Sequence, residues 1–192
     1  MSYPMAVPRA RFTDIQPILD RLLQRGIDLS QTCFGNVQLM NWQAGCLEIK
    51  AQQGFDEGFL RFFERVRIEH GSACARALRN RHAVVIEDIM ADEEFSPCRP
   101  VVRRAGIRGV QSTPILSSSG ALLGIMSTHF AVPHRLTKIE LRELQHVAHV
   151  AADALIHVRA RRYSSRERID RSLMLVEQSW EVIARAERDY SS

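Results

Sequence analysis

The sequence predicts an α+β fold: one central antiparallel sheet, terminal helices packed on one face, and a ligand-type pocket on the other. Three observations carry this prediction. Apolar residues recur at helical spacing near both ends, in Phe12, Ile15, Ile18, Leu19, Leu22 and Leu23 and again in Leu144, Ala148, Ala151, Leu155 and Val158. Between them lie short β-type runs separated by turn residues. The two richest runs, Val110–Leu116 and Ala121–Phe130, thread small polar side chains through otherwise apolar strands.

Taken in order, residues 1–10 read as a flexible tail and 11–163 as one domain. The first helix has Asp14 as N-cap, Pro17 in its first turn and Gly26 as its stop. Cys33–Met40 and Cys46–Gln52 form a hairpin around the turn Asn41–Gly45. Phe59, Leu60, Phe62 and Phe63 mark a short aromatic helix, and Ser72 caps another that turns Cys74, Ala77 and Leu78 inward. Ala83–Glu87 is a compact strand, Asp88–Pro100 a loop, and Val101–Ala105 a helical turn ended by Gly106. Thr137 with Glu140 makes a capping box for the longest helix, and Leu136 staples onto Leu141. A second cap, Ser164 with Glu167, suggests a break near Tyr163. Residues 164–192 then read as a helical extension with Ile169, Leu173, Val176, Trp180 and Ile183 on one seam.

Composition bounds the function. With no run of about 18 apolar residues, nothing is expected to span a membrane. The N-terminus lacks the basic flank and apolar core of an export signal. The four cysteines form no Cys-x-x-Cys pair, so reduced thiols and a cytoplasmic setting are expected. The net charge of +4 is mild. Arginines crowd between Arg159 and Arg171, but Glu167 and Asp170 interleave them and no aromatic platform accompanies them, so a solvated helix face is expected rather than nucleic-acid binding. His146 and His149, spaced i, i+3, lack a third ligand, so no metal site is expected.

Strand alternation offers Gln111, Thr113, Ser127 and His129 as one wall of a cavity, with Ser112 or Thr128 as further candidates or on the opposite face. Hydroxyls, an amide and an imidazole suit binding. No acid, base and nucleophile constellation accompanies them, so a non-catalytic role is expected.

An ordered series of segments resembles the GAF domain, a small-molecule sensory module with a PAS-like fold, in the variety found beside bacterial histidine kinases. They are Gly35-Asn36-Val37-Gln38-Leu39-Met40, Gln53-Gly54-Phe55 with Phe59-Leu60-Arg61-Phe62-Phe63, Gly71-Ser72-Ala73-Cys74, Val85-Ile86-Glu87-Asp88, Gly109-Val110-Gln111-Ser112-Thr113-Pro114 and Leu123-Gly124-Ile125-Met126-Ser127-Thr128-His129-Phe130. The resemblance covers roughly Arg11 to Ala160. It implies a sensor in bacterial-type signal transduction, an unidentified small-molecule ligand, and a histidine kinase or other signalling partner; it names no cofactor. No phosphoacceptor segment follows His157, no glycine-rich nucleotide loop is present, and the cyclic-nucleotide signature Asn-Lys-Phe-Asp-Glu is missing. The ligand is expected between the sheet and the segment Phe55–Arg104. A homodimer is expected through Ile15, Leu19 and Leu22 with Leu144, Ala151 and Leu155. Two rivals remain: a ligand-free dimerisation scaffold, and an enzyme similar to the free methionine-(R)-sulfoxide reductases, also GAF folds. Cys74 and Cys98 match the spacing of two cysteines there, whereas Glu64 stands where a third occurs.

Overall fold

The computed structural model describes residues 15–161, of which Ile15–Leu155 form one compact unit. The expected domain limits at 11 and 163, the N-cap Asp14, the break near Tyr163, and the seam from Ile169 to Ile183 lie outside the described residues. So does the arginine cluster beyond Arg161.

Six strands form one sheet in the order β3-β2-β1-β6-β5-β4, every neighbouring pair antiparallel. The strands are β1 (Phe34–Asn41), β2 (Cys46–Gln53), β3 (Arg65–Arg67), β4 (Val84–Ile86), β5 (Gly109–Leu116) and β6 (Leu122–Phe130). The α+β architecture expected from the sequence is what is observed. β3 was not foreseen: three residues, Arg-Val-Arg, are too few to show a period, and only Val66 is buried.

Helix α1 (Gln16–Ser30) lies on one face against β1, β2 and β6. Gly26 does not stop it. A Cβ there would come 2.7 Å from Met126 Sδ, so the glycine lets the helix approach β6 closely, and the helix ends four residues later. The second terminal helix, α5, occupies 138–161. Its capping box forms as expected, with the Thr137 N–H donating to Glu140 Oε2 at 2.7 Å and the Glu140 N–H to Thr137 Oγ1 at 3.2 Å.

The apolar seam assigned to self-association is spent within the single chain. Leu19, Leu22, Leu144, Ala151 and Leu155 are all buried there, and Ile15 is half-buried. Oil-like stripes on terminal helices cover their own sheet first, because that contact costs no association entropy. A shallow groove of ≈ 440 Å³ between α1 and α5 remains, lined by Ile18, Val147 and the exposed Val150.

The opposite face of the sheet carries the main core. Leu47, Phe59, Phe63, Ala77, Ile89, Phe95, Val102, Val110 and Ile125 pack together there, under α2 (Glu57–Phe62), α3 (Ala73–Asn80) and α4 (Arg99–Arg104). Asp56 caps α2, its Oδ1 accepting the Phe59 N–H at 2.7 Å, and so aims Phe59 inward. Two arginines of α3 tie down the loop after β4. Arg76 grips Asp92 at 2.8 Å and Arg79 reaches Glu94 at 2.8 Å.

Gly124 marks the tightest approach between strands. A Cβ built there would stand 2.0 Å from the Gln38 carbonyl oxygen, which is backbone and has nowhere to move. Gly124→Ala should therefore prise β1 from β6 and lower unfolding free energy by about 1–3 kcal/mol, measured by urea denaturation.

Candidate functional site

The register sorts the polar side chains of β5 and β6 onto two faces. Ser127 stands between Asn36 on β1 and Ser112 on β5, and His129 between Phe34 and Val110. Thr128 stands between Gly35 and Gln111. Since directly paired residues share a face, Asn36, Gln38, Ser112, Ser127 and His129 face the main core. Gln111, Thr113 and Thr128 face the terminal helices.

The expected single wall of Gln111, Thr113, Ser127 and His129 is thus corrected. The physical reason is a register shift in the β5–β6 ladder between Ile115 and Leu116. Leu116 pairs with Leu122, and continuing that register would set Gln111 opposite Ser127. One residue of slip moves every side chain beyond it to the other face.

On the helix face the polar groups satisfy one another. Thr113 Oγ1 donates to Gln111 Oε1 at 2.8 Å, Gln111 Nε2 donates to Thr128 Oγ1 at 3.1 Å, and Thr128 Oγ1 meets Ser30 Oγ at 2.9 Å. All four residues are buried. This is a closed internal chain that fastens α1 to the sheet.

The core face differs. Ser112 and Ser127 pair through their hydroxyls at 2.8 Å, yet Asn36 Oδ1, both amide atoms of Gln38 and His129 Nδ1 are buried with no hydrogen-bond partner. These three side chains are 3%, 1% and 6% exposed. They line a cavity of ≈ 20 Å³ together with Ser72, Phe59, Phe63 and Phe95, room for one or two waters. Phe55 and Phe59 present their rings edge-to-face with the imidazole, at centroid distances of 5.0 and 5.6 Å. Burial pushes the His129 pKa down to about 3, so the ring is neutral at physiological pH.

A thiol cluster adjoins this cavity. Ser72 was expected to cap α3, but its hydroxyl makes no cap bond; it meets His70 Nδ1 at 2.9 Å and Cys74 Sγ at 3.2 Å. Cys98 Sγ lies 3.7 Å from His70 Nε2 and 3.9 Å from Nδ1, within the longer hydrogen-bonding range of sulfur. Burial, with a smaller contribution from Cys74, pushes the Cys98 thiol up to about 12, and burial also raises Cys74. Burial lowers the pKa of His70 as well. A thiolate–imidazolium pair is therefore disfavoured here. Alkylation with iodoacetamide at pH 7.5, followed by mass spectrometry, should label the exposed Cys33 at least about tenfold faster than Cys74 or Cys98.

Elsewhere, His149 Nε2 stands 3.9 Å from Asp153 Oδ2, while His146 is exposed on the α1–α5 groove. No group of three or more metal-ligating side chains occurs among the described residues. Among them, too, no helix is long and apolar enough to cross a membrane. Asn36, Gln38 and Ser72 were missed as site residues by reasoning from sequence. The alternation of Asn36 and Gln38 in Gly35-Asn36-Val37-Gln38-Leu39 was visible, but polar alternation on a strand ordinarily means a solvent face.

The sheet thus carries helices on one side and, on the other, a small cavity lined by polar and aromatic side chains, an α+β arrangement. The GAF domain family model matches residues 13–156, and the chain belongs to that family. A methyl sulfide methyltransferase-associated sensor from Methanosarcina acetivorans is 29% identical over 77 residues, covering 40% of this chain and only 8% of that protein. Among solved structures, the GAF domain/HD domain protein from Geobacter sulfurreducens superposes with a TM-score of 0.66 at 16% identity, over 78% of this chain and 96% of that one. The free methionine-R-sulfoxide reductase of Neisseria meningitidis, bound to its substrate, gives 0.61 at 16% identity, over 76% and 80%. At such identities the structures share the fold alone.

Proposed function

We propose that this GAF domain is a non-catalytic sensory module that takes a small molecule between the core face of its sheet and the covering segment around α2, α3 and the loop after β4. The observation that carries this reading is the set of unpartnered polar atoms on Asn36, Gln38 and His129 around one cavity. A buried amide without a partner costs on the order of 1–3 kcal/mol, and a ligand that supplies the partners repays that cost when it binds. Ser112 and Ser127 complete the wall. The ligand acts by binding one arrangement of the covering segment better than another. The sensor relative supports a signalling role, and four unbridged cysteines suit the cytoplasm.

Thermal unfolding against a panel of metabolites tests the proposal. A ligand at a hundred times its dissociation constant adds about 2.7 kcal/mol, several degrees for a chain of this size. The expected hit is lost in Gln38→Ala and His129→Ala. No shift across the panel would overturn the sensor and favour the scaffold.

The buried, protonated state of Cys74 and Cys98 favours the sensor over a reductase. We propose further that the module works as a homodimer whose contact is the α1–α5 groove at Ile18, Val147 and Val150, passing its signal to a kinase or similar partner. Sedimentation should show a dimer that Val150→Glu disrupts; a monomer at high micromolar concentration contradicts it.

A further inference from the structure

We infer that the ligand of this cavity is an uncharged molecule bearing a hydrogen-bond donor and acceptor side by side, of the amide or urea type. The inference rests on the sensory reading above and deepens it.

None of the cavity-lining residues is Asp, Glu, Lys or Arg. Its one imidazole is neutral, because burial holds His129 far below its ordinary pKa, and the thiol of Cys74 on its edge is protonated. Of the charges on the covering segment, Arg76 pairs with Asp92, Arg79 with Glu94 and Arg108 with Asp88, and none of its charged residues lines the cavity. An ion entering this cavity would shed its water and meet no counter-charge, which is strongly unfavourable. Carboxylates, phosphates and zwitterionic amino acids are disfavoured on that ground.

The unmet valences say what would be welcome instead. Gln38 offers one donor and one acceptor whichever way its amide is turned. Asn36 Oδ1 accepts, and His129 Nδ1 donates or accepts according to tautomer. An occupant must therefore both give and take hydrogen bonds within a few ångströms, as a carboxamide or urea does. Phe59, Phe63 and Phe95 supply flat apolar walls for its remaining surface. The void of ≈ 20 Å³ admits little more than water, so the molecule is small, and those rings must yield to admit even about four heavy atoms, a size that limits affinity to the micromolar-to-millimolar range.

Matched pairs that differ in charge but hardly in shape provide the test: acetamide against acetate, and urea against guanidinium, at low millimolar concentrations. Each is titrated into the full chain and followed by backbone and histidine-ring NMR shifts. Acetamide or urea should give saturable shifts at Asn36, Gln38 and His129, with a dissociation constant at least about tenfold below that of its charged partner. Gln38→Met should abolish them. Equal or tighter binding of acetate or guanidinium at those residues would overturn the neutral class and leave the sensor intact. No saturable shift with any of the four would also overturn it; a larger panel hit lost in Gln38→Ala would then keep the sensory reading, and an empty panel would remove both.

Discussion

Gln111→Ala should lower the free energy of unfolding by about 3–4 kcal/mol, an amount that combines a core cavity with orphaned polar partners. Gln111 is fully buried, accepts from Thr113 and donates to Thr128, which in turn meets Ser30 on α1. Truncation leaves two buried hydroxyls short of a partner and slackens the contact between helix and sheet. Chemical denaturation reads this directly, and the melting temperature should fall by roughly 10 °C. Because Gln111 faces the helices, its loss should leave the ligand preference of the surviving folded protein unchanged. A variant as stable as the parent would mean that the internal chain contributes nothing.

The second large effect is acid sensitivity centred on His129. Its pKa is about 3 in the folded protein and about 6.5 in an unfolded chain. Between those values the unfolded state binds a proton that the folded state refuses, so stability rises with pH. The contribution is fully present above about pH 6.5. It falls by up to about 1.4 kcal/mol per pH unit on acidification and is exhausted near pH 3. His70, lowered by the same cause, adds in the same direction. The unfolding free energy of the parent should fall relative to that of His129→Phe as pH drops from 7 toward 4, by up to about 1.4 kcal/mol per pH unit, since phenylalanine has no proton to refuse. Parallel pH profiles would contradict the assignment of a neutral, buried imidazole.

Much of the architecture was legible because it rests on local chemistry. The hairpin of β1 and β2, the Thr137–Glu140 box and the apolar faces of α1 and α5 each follow from residue types at fixed spacing. What failed depended on contacts distant in sequence. Gly26 reads as a helix stop until Met126 is known to press against it. The terminal seam reads as a dimer surface until the sheet that covers it is in place. Alternation correctly grouped Gln111 with Thr113, and Ser127 with His129, but alignment of the two groups depends on the strand register. The shift at Ile115/Leu116 sets that register, and nothing in Ser117-Ser118-Ser119-Gly120 announces it. Asn36 and Gln38 entered the site only through pairing with β6.

The central claim is that the unpaired polar groups on the core face are kept for a ligand at the expense of stability, whereas those on the helix face hold the fold. Thermal and urea unfolding of Gln38→Met and Gln111→Met, measured side by side without ligand, tests it most directly. Methionine nearly conserves volume in both, so the comparison isolates the amide. Gln38→Met should raise stability by about 1–2 kcal/mol, because an unpartnered buried amide is removed, while Gln111→Met should lower it. If Gln38→Met were destabilised as much as Gln111→Met, the Gln38 amide would be part of the scaffold, and the account would be contradicted.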